Sequence, residues 1–193
     1  MENALLPTTP KLSAAAYEIL KINEEGYRDL VVHRQVNPLA RSRMSSIEVS
    51  GLISGQTKDP QMAQAVACSL WLWHDAIAEA HVIAQGLPTD TGSFWHAIVH
   101  RREGDFSNSH HWLAKCREHP ARQAIANQAA LLLGELPSDN RLLRLTFDGW
   151  NADYFVDLVQ QQHGHPDLNI APILVVLQLL EWRVLTEYCA SLA

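Results

Sequence analysis

The segment between residues 59 and 88 constrains the fold more than any other part of the sequence. Asp59 is a residue type that caps the N-terminus of a helix, and Pro60 suits the first helical position. Gly86 and Pro88 supply a C-terminal stop. The pattern predicts one helix over residues 60–85, about 26 residues long. Because apolar side chains lie on most of its sides, we expect this helix at the centre of the molecule.

The rest of the chain is also predicted to be helical. No stretch alternates apolar and polar residues long enough to predict a sheet. Residues 27–36 fit neither a helix nor a strand clearly, and residues 41–56 are the least regular part of the chain. Capping residues with glycine or proline stops predict further helices that begin near Ser13 and cover residues 93–103, 108–118, 120–133, 142–147, 152–163 and 170–191.

These patterns predict an all-α fold. We expect a single globular domain over residues 13–193, built from about seven to nine helices around the central helix 60–85. Residues 1–12 contain proline and threonine and are predicted to form a flexible N-terminal arm.

Composition excludes several classes of function. A formal net charge of −6 indicates no general affinity for nucleic acid. The most apolar run, residues 170–180, is too short to cross a bilayer, so no membrane association is expected. The three cysteines show no CxxC spacing, and the first residues do not resemble a signal peptide, so we expect reduced thiols and a cytoplasmic location.

Histidine and tryptophan concentrate in one part of the sequence, residues 58–112. Six of the ten histidines and four of the six tryptophans lie there. Imidazole groups serve as acids, bases and metal ligands near neutral pH. The sequence therefore predicts a site in this stretch, which contains His74, His81, His96, His100, His110, His111, Trp71, Trp73, Trp95 and Trp112.

The first candidate site is His96, His100 and Glu103 on one predicted helix. Their spacings of four and three residues place both imidazoles and the carboxylate on one face. Two histidines one turn apart can bind the same ion. The alternatives are a polar pocket without metal, or two surface histidines that stabilise a helix end, because this face lies at the edge of the apolar stripe.

The second candidate site adds His74 and His81, with Asp75 nearby. Both histidines lie in the apolar stripe of helix 60–85, where burial is costly unless each ring finds a partner. Each can be a hydrogen-bonded core residue. Alternatively, His74 and His81 meet His96 and His100 between two antiparallel helices and form a metal site or an acid–base site.

Two further residue groups complete the candidate pocket. Arg101 and Arg102 can bind a phosphate or carboxylate, although such a run is also typical of an ion-pair network at a helix end. Trp95 and Trp112 are placed to form an aromatic wall. The predicted ligand-binding residues are therefore Trp95, Arg101, Arg102, His81, Asp75 and Trp112.

The run SFWHAIVHRREGDFSNSHHW, residues 93–112, resembles the signature of a family of uncharacterised helical proteins. The resemblance covers about twenty residues and implies that this stretch is a site, but it carries no activity or substrate. Residues 104–120 also resemble the turn and second helix of a tetratricopeptide unit. We find no second copy, so one helical hairpin is the simpler interpretation.

The sequence leads to two functional hypotheses. In the first, a pocket lined by histidine, arginine and tryptophan hydrolyses, eliminates or binds a small molecule. His74, His96, His100 and Glu103 would be catalytic, and His96, His100 and His74 would hold a divalent metal such as zinc, iron or manganese. In the second, a tetratricopeptide-like hairpin binds a partner protein without catalysis. Because the last helix is apolar, a homo-oligomer that uses it as an interface is a further hypothesis.

Overall fold

The computed structural model describes residues 6–23, 26–135, 139–166 and 170–193. These residues form ten α-helices and one short 3₁₀ helix, Val49–Leu52, and no sheet, which confirms the all-α prediction. The helix count slightly exceeds the predicted seven to nine. The helices are α1 (Ala14–Lys21), α2 (Pro38–Ser46), α3 (Pro60–Trp73), α4 (Ile77–Gln85), α5 (Asp90–Glu103), α6 (Phe106–Leu113), α7 (Ala121–Gly134), α8 (Asn140–Leu143), α9 (Ala152–Gly164) and α10 (Ala171–Leu192).

Helices α3 and α5 form the centre of the molecule. Almost every residue of α3 from Ala63 onward is buried, and α5 is buried from Thr91 to Arg102. Helix α10 packs on α3 and α7, while α4 and α6 pack on α5. Among the described residues, no helix is long and apolar enough to span a membrane.

The prediction of one continuous helix over residues 60–85 is wrong. The chain leaves the helix after Trp73 and starts a second helix, α4, at Ile77. Asp75 adopts a left-handed conformation with φ of 59°. The Ala76 N–H donates to the Trp71 carbonyl and the Asp75 N–H to the Leu72 carbonyl, which is the pattern of a Schellman C-cap. Asp75 occupies the position where a glycine is usual, so the sequence carries no strong stop signal there.

The guanidinium group of Arg102 stabilises this break. It donates to Asp75 Oδ1 at 2.6 Å and to the Leu72 carbonyl at 2.9 Å, and it also reaches the Asp29 carbonyl. Its carbon lies 4.0 Å from the centre of the Tyr27 ring. Arg102 is fully buried, so its charge is offset by these groups instead of by water. One side chain of α5 therefore holds the end of α3, and it also contacts residues 26–36, which form no regular element.

The least regular segment of the sequence, residues 41–56, holds more structure than its composition indicates. Helix α2 extends into it, and the 3₁₀ helix follows. The described part of the predicted N-terminal arm contacts the domain: Leu12 is buried and forms a bridge with Ile53, and the Thr8 N–H donates to Glu187. Residues 1–5 lie outside the described residues.

Replacing Arg102 with Met is expected to destabilise the protein by about 3 kcal/mol, since the closest partner of a buried carboxylate is removed and Asp75 keeps only the longer contact with Arg34, at 3.5 Å. Urea unfolding followed by circular dichroism measures this change. Arg117→Met is the matched control, because Arg117 is exposed, and its free energy of unfolding should stay within about 0.5 kcal/mol of the wild type. Equal stability of the two variants would contradict the assigned role of Arg102.

Candidate metal centre

Three histidines from two neighbouring helices converge at one point of the surface. His81 comes from α4, and His96 and His100 come from successive turns of α5. One ligand atom from each imidazole lies within 4.8 Å of the others. His96 and His100 are buried, whereas the side chain of His81 keeps 29% of its surface exposed. The cluster therefore opens to solvent on one side.

The Nε2 atoms of His81 and His96 face each other at 2.9 Å. Two nitrogen ligands of a tetrahedral zinc ion, each about 2.0–2.1 Å from the metal, lie about 3.3 Å apart. The observed separation is close to this value, so an ion between the rings needs only small side-chain movements. The His100 ring completes the group, stacked on His96 at 4.7 Å and edge-on to His81 at 4.8 Å between ring centres.

Glu103 lies behind two of the three imidazoles. Its Oε1 atom is 3.0 Å from His81 Nδ1, and its Oε2 atom is 3.0 Å from His100 Nδ1, although the angle of the second contact is poorer than that of a hydrogen bond. When both Nδ1 atoms carry the proton, both rings present the lone pair of Nε2. A carboxylate behind a ligating histidine is the usual arrangement for orienting metal-binding imidazoles.

The electrostatics of the cluster favour neutral imidazoles. Burial, together with the neighbouring His100, His81 and Lys115, lowers the pKa of His96 to about 4. Burial also lowers the pKa of His100, although Glu103 opposes that effect. A neutral ring is the form that binds a metal. His96 Nδ1 has no hydrogen-bond partner among the described residues. When a metal binds Nε2, the proton of the ring can therefore be carried by Nδ1.

One aromatic side chain forms a wall of the cluster. The indole of Trp112, on α6, stacks on the His96 ring with 4.1 Å between centres and 27° between planes. Trp95, the other predicted wall residue, is fully buried and lies against Cys189 in the core. The difference follows from helix geometry, since Trp95 immediately precedes His96 and thus points to another side of α5.

Both arginines that were predicted to bind a ligand form ion pairs with carboxylates of the protein. Arg101 forms an ion pair with Glu181 at 2.5 Å and lies over the Phe155 ring. Arg102 pairs with Asp75, as described for the helix break. These contacts match the ion-pair alternative for the arginine run, and they leave the three predicted residues Arg101, Arg102 and Asp75 outside the histidine cluster.

His74 lies outside the cluster, because the break after α3 turns its ring toward the backbone of Ile19 on α1. The geometry therefore corrects the expectation that His74 shares a site with His96 and His100; His81 takes that position. Burial lowers the pKa of His74 to about 4.

Another buried histidine, His119, forms hydrogen bonds with neighbouring groups of the core. Its Nδ1 accepts from the Ala121 N–H and its Nε2 lies 3.0 Å from Thr91 Oγ1, a pairing that suits the neutral ring. Burial lowers the pKa of His119 to about 4. Cys116, three residues earlier, is no activated thiol, since burial raises its pKa to about 11.

The sequence patterns missed one residue beside the aromatic wall, Lys115. Its ammonium nitrogen lies 3.7 Å from the centre of the Trp112 ring. A lysine just beyond the end of a helix carries no signal of its own, and only the packing of α6 on α5 brings it to the site.

In comparisons with known proteins, no family model, curated protein or solved structure matches the chain. The resemblance of residues 93–112 to an uncharacterised family therefore stays a prediction.

The buried histidines predict a stability that falls in acid. The unfolded ring has a pKa near 6.5, whereas His119 and His74 in the folded protein have pKa values of about 4. Stability from these groups is complete above pH 6.5 and declines as the pH falls toward 4, because only the unfolded chain takes up the protons. Each histidine contributes a slope of up to about 1.4 kcal/mol per pH unit in that window.

Urea unfolding in EDTA between pH 7.5 and 4.5 measures this slope. His119→Asn should reduce it by up to about 1.4 kcal/mol per pH unit, since asparagine can accept the Ala121 N–H without titrating. His165→Asn is the control, because His165 is exposed and its removal should leave the slope unchanged. A wild-type slope in His119→Asn would refute this explanation.

Proposed function

We propose that the protein binds one divalent transition-metal ion at His81, His96 and His100, and that the site performs hydrolysis or elimination on a small molecule. The observation that carries the proposal is the convergence of three imidazole nitrogens within 4.8 Å in front of the Glu103 carboxylate. Three histidines with an open coordination position are the ligand set of catalytic zinc sites.

The ligand set favours zinc or iron over manganese. Neutral imidazoles suit zinc and iron, whereas manganese prefers carboxylate and water oxygens. The carboxylates of Glu103 and Asp105 face Nδ1 atoms of these imidazoles, away from the Nε2 atoms proposed as ligands. In such a site the bound ion lowers the pKa of a water molecule and makes it a nucleophile near neutral pH.

The chain's own residues have separate tasks in this proposal. Glu103 orients His81 by accepting from its Nδ1 atom, and its second carboxylate oxygen lies 3.0 Å from His100 Nδ1. Trp112 packs on His96 and shields that ring from solvent. The exposed edge of His81 leaves a path for a small ligand. Three buried free thiols, at Cys68, Cys116 and Cys189, are in keeping with a cytoplasmic location.

A second mechanism without metal has its own support. Glu103, His81 and His96 form a continuous chain of contacts, in which Glu103 accepts from His81 Nδ1 and His81 Nε2 accepts from His96 Nε2. A carboxylate that orients an imidazole is typical of acid–base catalysis. This chain is the candidate mechanism if the protein holds no metal.

The hypothesis of a partner-binding hairpin receives less support. It predicts histidines that point apart and an exposed apolar patch on residues 106–119. The large hydrophobic side chains that are exposed in the described residues lie elsewhere: Leu39, Val82, Leu131, Leu143, Phe147 and Leu192.

Metal analysis of protein purified without a histidine tag tests the proposal. We expect about one zinc or iron ion per chain in the wild type and none in His81→Ala, His96→Ala or His100→Ala. His111→Ala is the matched control and should keep the metal, because His111 is exposed and outside the cluster. A wild type that cannot be loaded with zinc, iron or cobalt would refute the metal centre.

The affinity for cobalt tests the role of Glu103 separately. Glu103→Gln should weaken cobalt binding about 10- to 100-fold without abolishing it, since the carboxylate orients two ligands but is not one itself. Competition with a chelator measures the affinity. Hydrolysis of an activated ester by the zinc-loaded protein, compared with His96→Ala, then tests the catalytic part of the proposal.

A further inference from the structure

Three arginines that form no ion pair with the described residues line one cavity. The cavity has a volume of about 490 Å³ and lies between the start of α7 and the segment that joins α8 to α9. Arg117, Arg122 and Arg144 contribute to its lining, and no residue of the histidine cluster does. Its volume is within the range of pockets that bind small molecules. This arginine cavity is therefore a second candidate site.

Arg122 is partly buried, yet most of its guanidinium group has no hydrogen-bond partner. Nη1 donates to the Trp150 carbonyl over a long 3.4 Å, whereas Nε and Nη2 are shielded from solvent and form no hydrogen bond with the described residues. The central carbon lies 5.5 Å from the centre of the Phe94 ring, and the Cys116 thiol is also nearby, but neither group is charged. A desolvated cation without an anion is costly. An anion in the cavity that Arg122 lines would offset this cost.

Arg117 and Arg144 add two exposed cations to the lining of the same cavity. Neither forms an ion pair within the described part of the chain, unlike Arg141 on α8, which pairs with Asp139 at 2.7 Å. The guanidinium carbon of Arg144 lies 4.5 Å from the centre of the Tyr154 ring, and this contact leaves its charge without a counterion. Guanidinium groups bind phosphate and carboxylate oxygens through two parallel hydrogen bonds. Both arginines are therefore available to such a ligand.

The carboxylates that line the cavity do not cancel the charge of Arg122. Asp153 is in contact with His110, whose Nδ1 atom lies 3.2 Å from its Oδ1 atom. Glu118 and Asp148 are exposed and form no ion pair with the described residues, so water screens their charges. The shielded part of Arg122 is screened much less. The uncompensated charge of the cavity is therefore positive, which favours an anion there.

We propose that the arginine cavity binds a small molecule through an anionic oxygen group, a phosphate or a carboxylate. Arg122 offsets the charge of this group from the partly buried end of the cavity, and Arg117 and Arg144 bind it from the exposed side. Charge-assisted hydrogen bonds from guanidinium groups to such oxygens are short and strong. The site shares no residue with the metal centre proposed above and does not depend on it.

Titration of the full chain with inorganic phosphate and with acetate, at constant ionic strength, tests the proposal. Backbone amide signals in proton–nitrogen NMR spectra report the binding and locate it. We expect at least one of the two anions to shift the amide signals of Gly149 and Asn151 with a dissociation constant of about 10 mM or lower. His96→Ala should bind this anion equally well, which separates the cavity from the metal centre. Comparing the two anions distinguishes phosphate from carboxylate recognition.

Substitutions of the arginines assign the binding to the cavity. Arg122→Gln should weaken it about tenfold or more, and Arg117→Met and Arg144→Gln about threefold each. Arg141→Gln is the matched control, because it removes the same charge from a helix next to the cavity but does not change the lining, and its affinity should stay within about twofold of the wild type. Arg117 and Arg144 are exposed, so their variants test the site even if Arg122→Gln lowers the stability.

Two results would overturn the proposal. The first is a wild type in which neither anion shifts the amide signals around the cavity. The second is an anion affinity that falls no further in Arg117→Met, Arg144→Gln and Arg122→Gln than in Arg141→Gln, because the binding would then reflect general charge attraction. Neither result bears on the metal centre, whose metal content is measured separately.

Discussion

The buried ion pair between Arg102 and Asp75 is the interaction on which the site depends. By stabilising Asp75 in a left-handed conformation, it ends α3 and lets α4 start in a new direction. In one continuous helix, His74 and His81 would lie seven residues apart on the same face. After the break, His74 faces α1 while His81 faces α5. A charge pair in the core thus decides which histidine reaches the cluster.

Helix α5 combines structural and chemical roles on different sides. Arg101 and Arg102 are directed into the protein, where they pair with Glu181 and Asp75. His96, His100 and Glu103 share another side, where α4 and α6 cover them incompletely. Since α5 is buried from Thr91 to Arg102, the positions of its side chains are fixed by packing on all sides. A rigid central helix is a suitable element for holding metal ligands.

Helices α3 and α5 both end in a Schellman cap, but only the end of α5 was predicted correctly from the sequence. Gly104 has φ of 81° and ends α5 where the sequence pattern places the stop. Asp75 performs the same task at the end of α3, but aspartate is common in many other settings. Its left-handed conformation is stabilised by an arginine 27 residues away, and no local pattern contains that information.

The sequence by itself determined the all-α class, most helix positions and the shared face of His96, His100 and Glu103, because those features depend on local propensity and on the helical period. Tertiary structure alone decided that His81 rather than His74 joins them, that Trp112 rather than Trp95 forms the wall, and that Lys115 stands beside it. Each of these depends on how one helix packs on another. Packing contacts join residues distant in sequence, so their partners cannot be read from spacing.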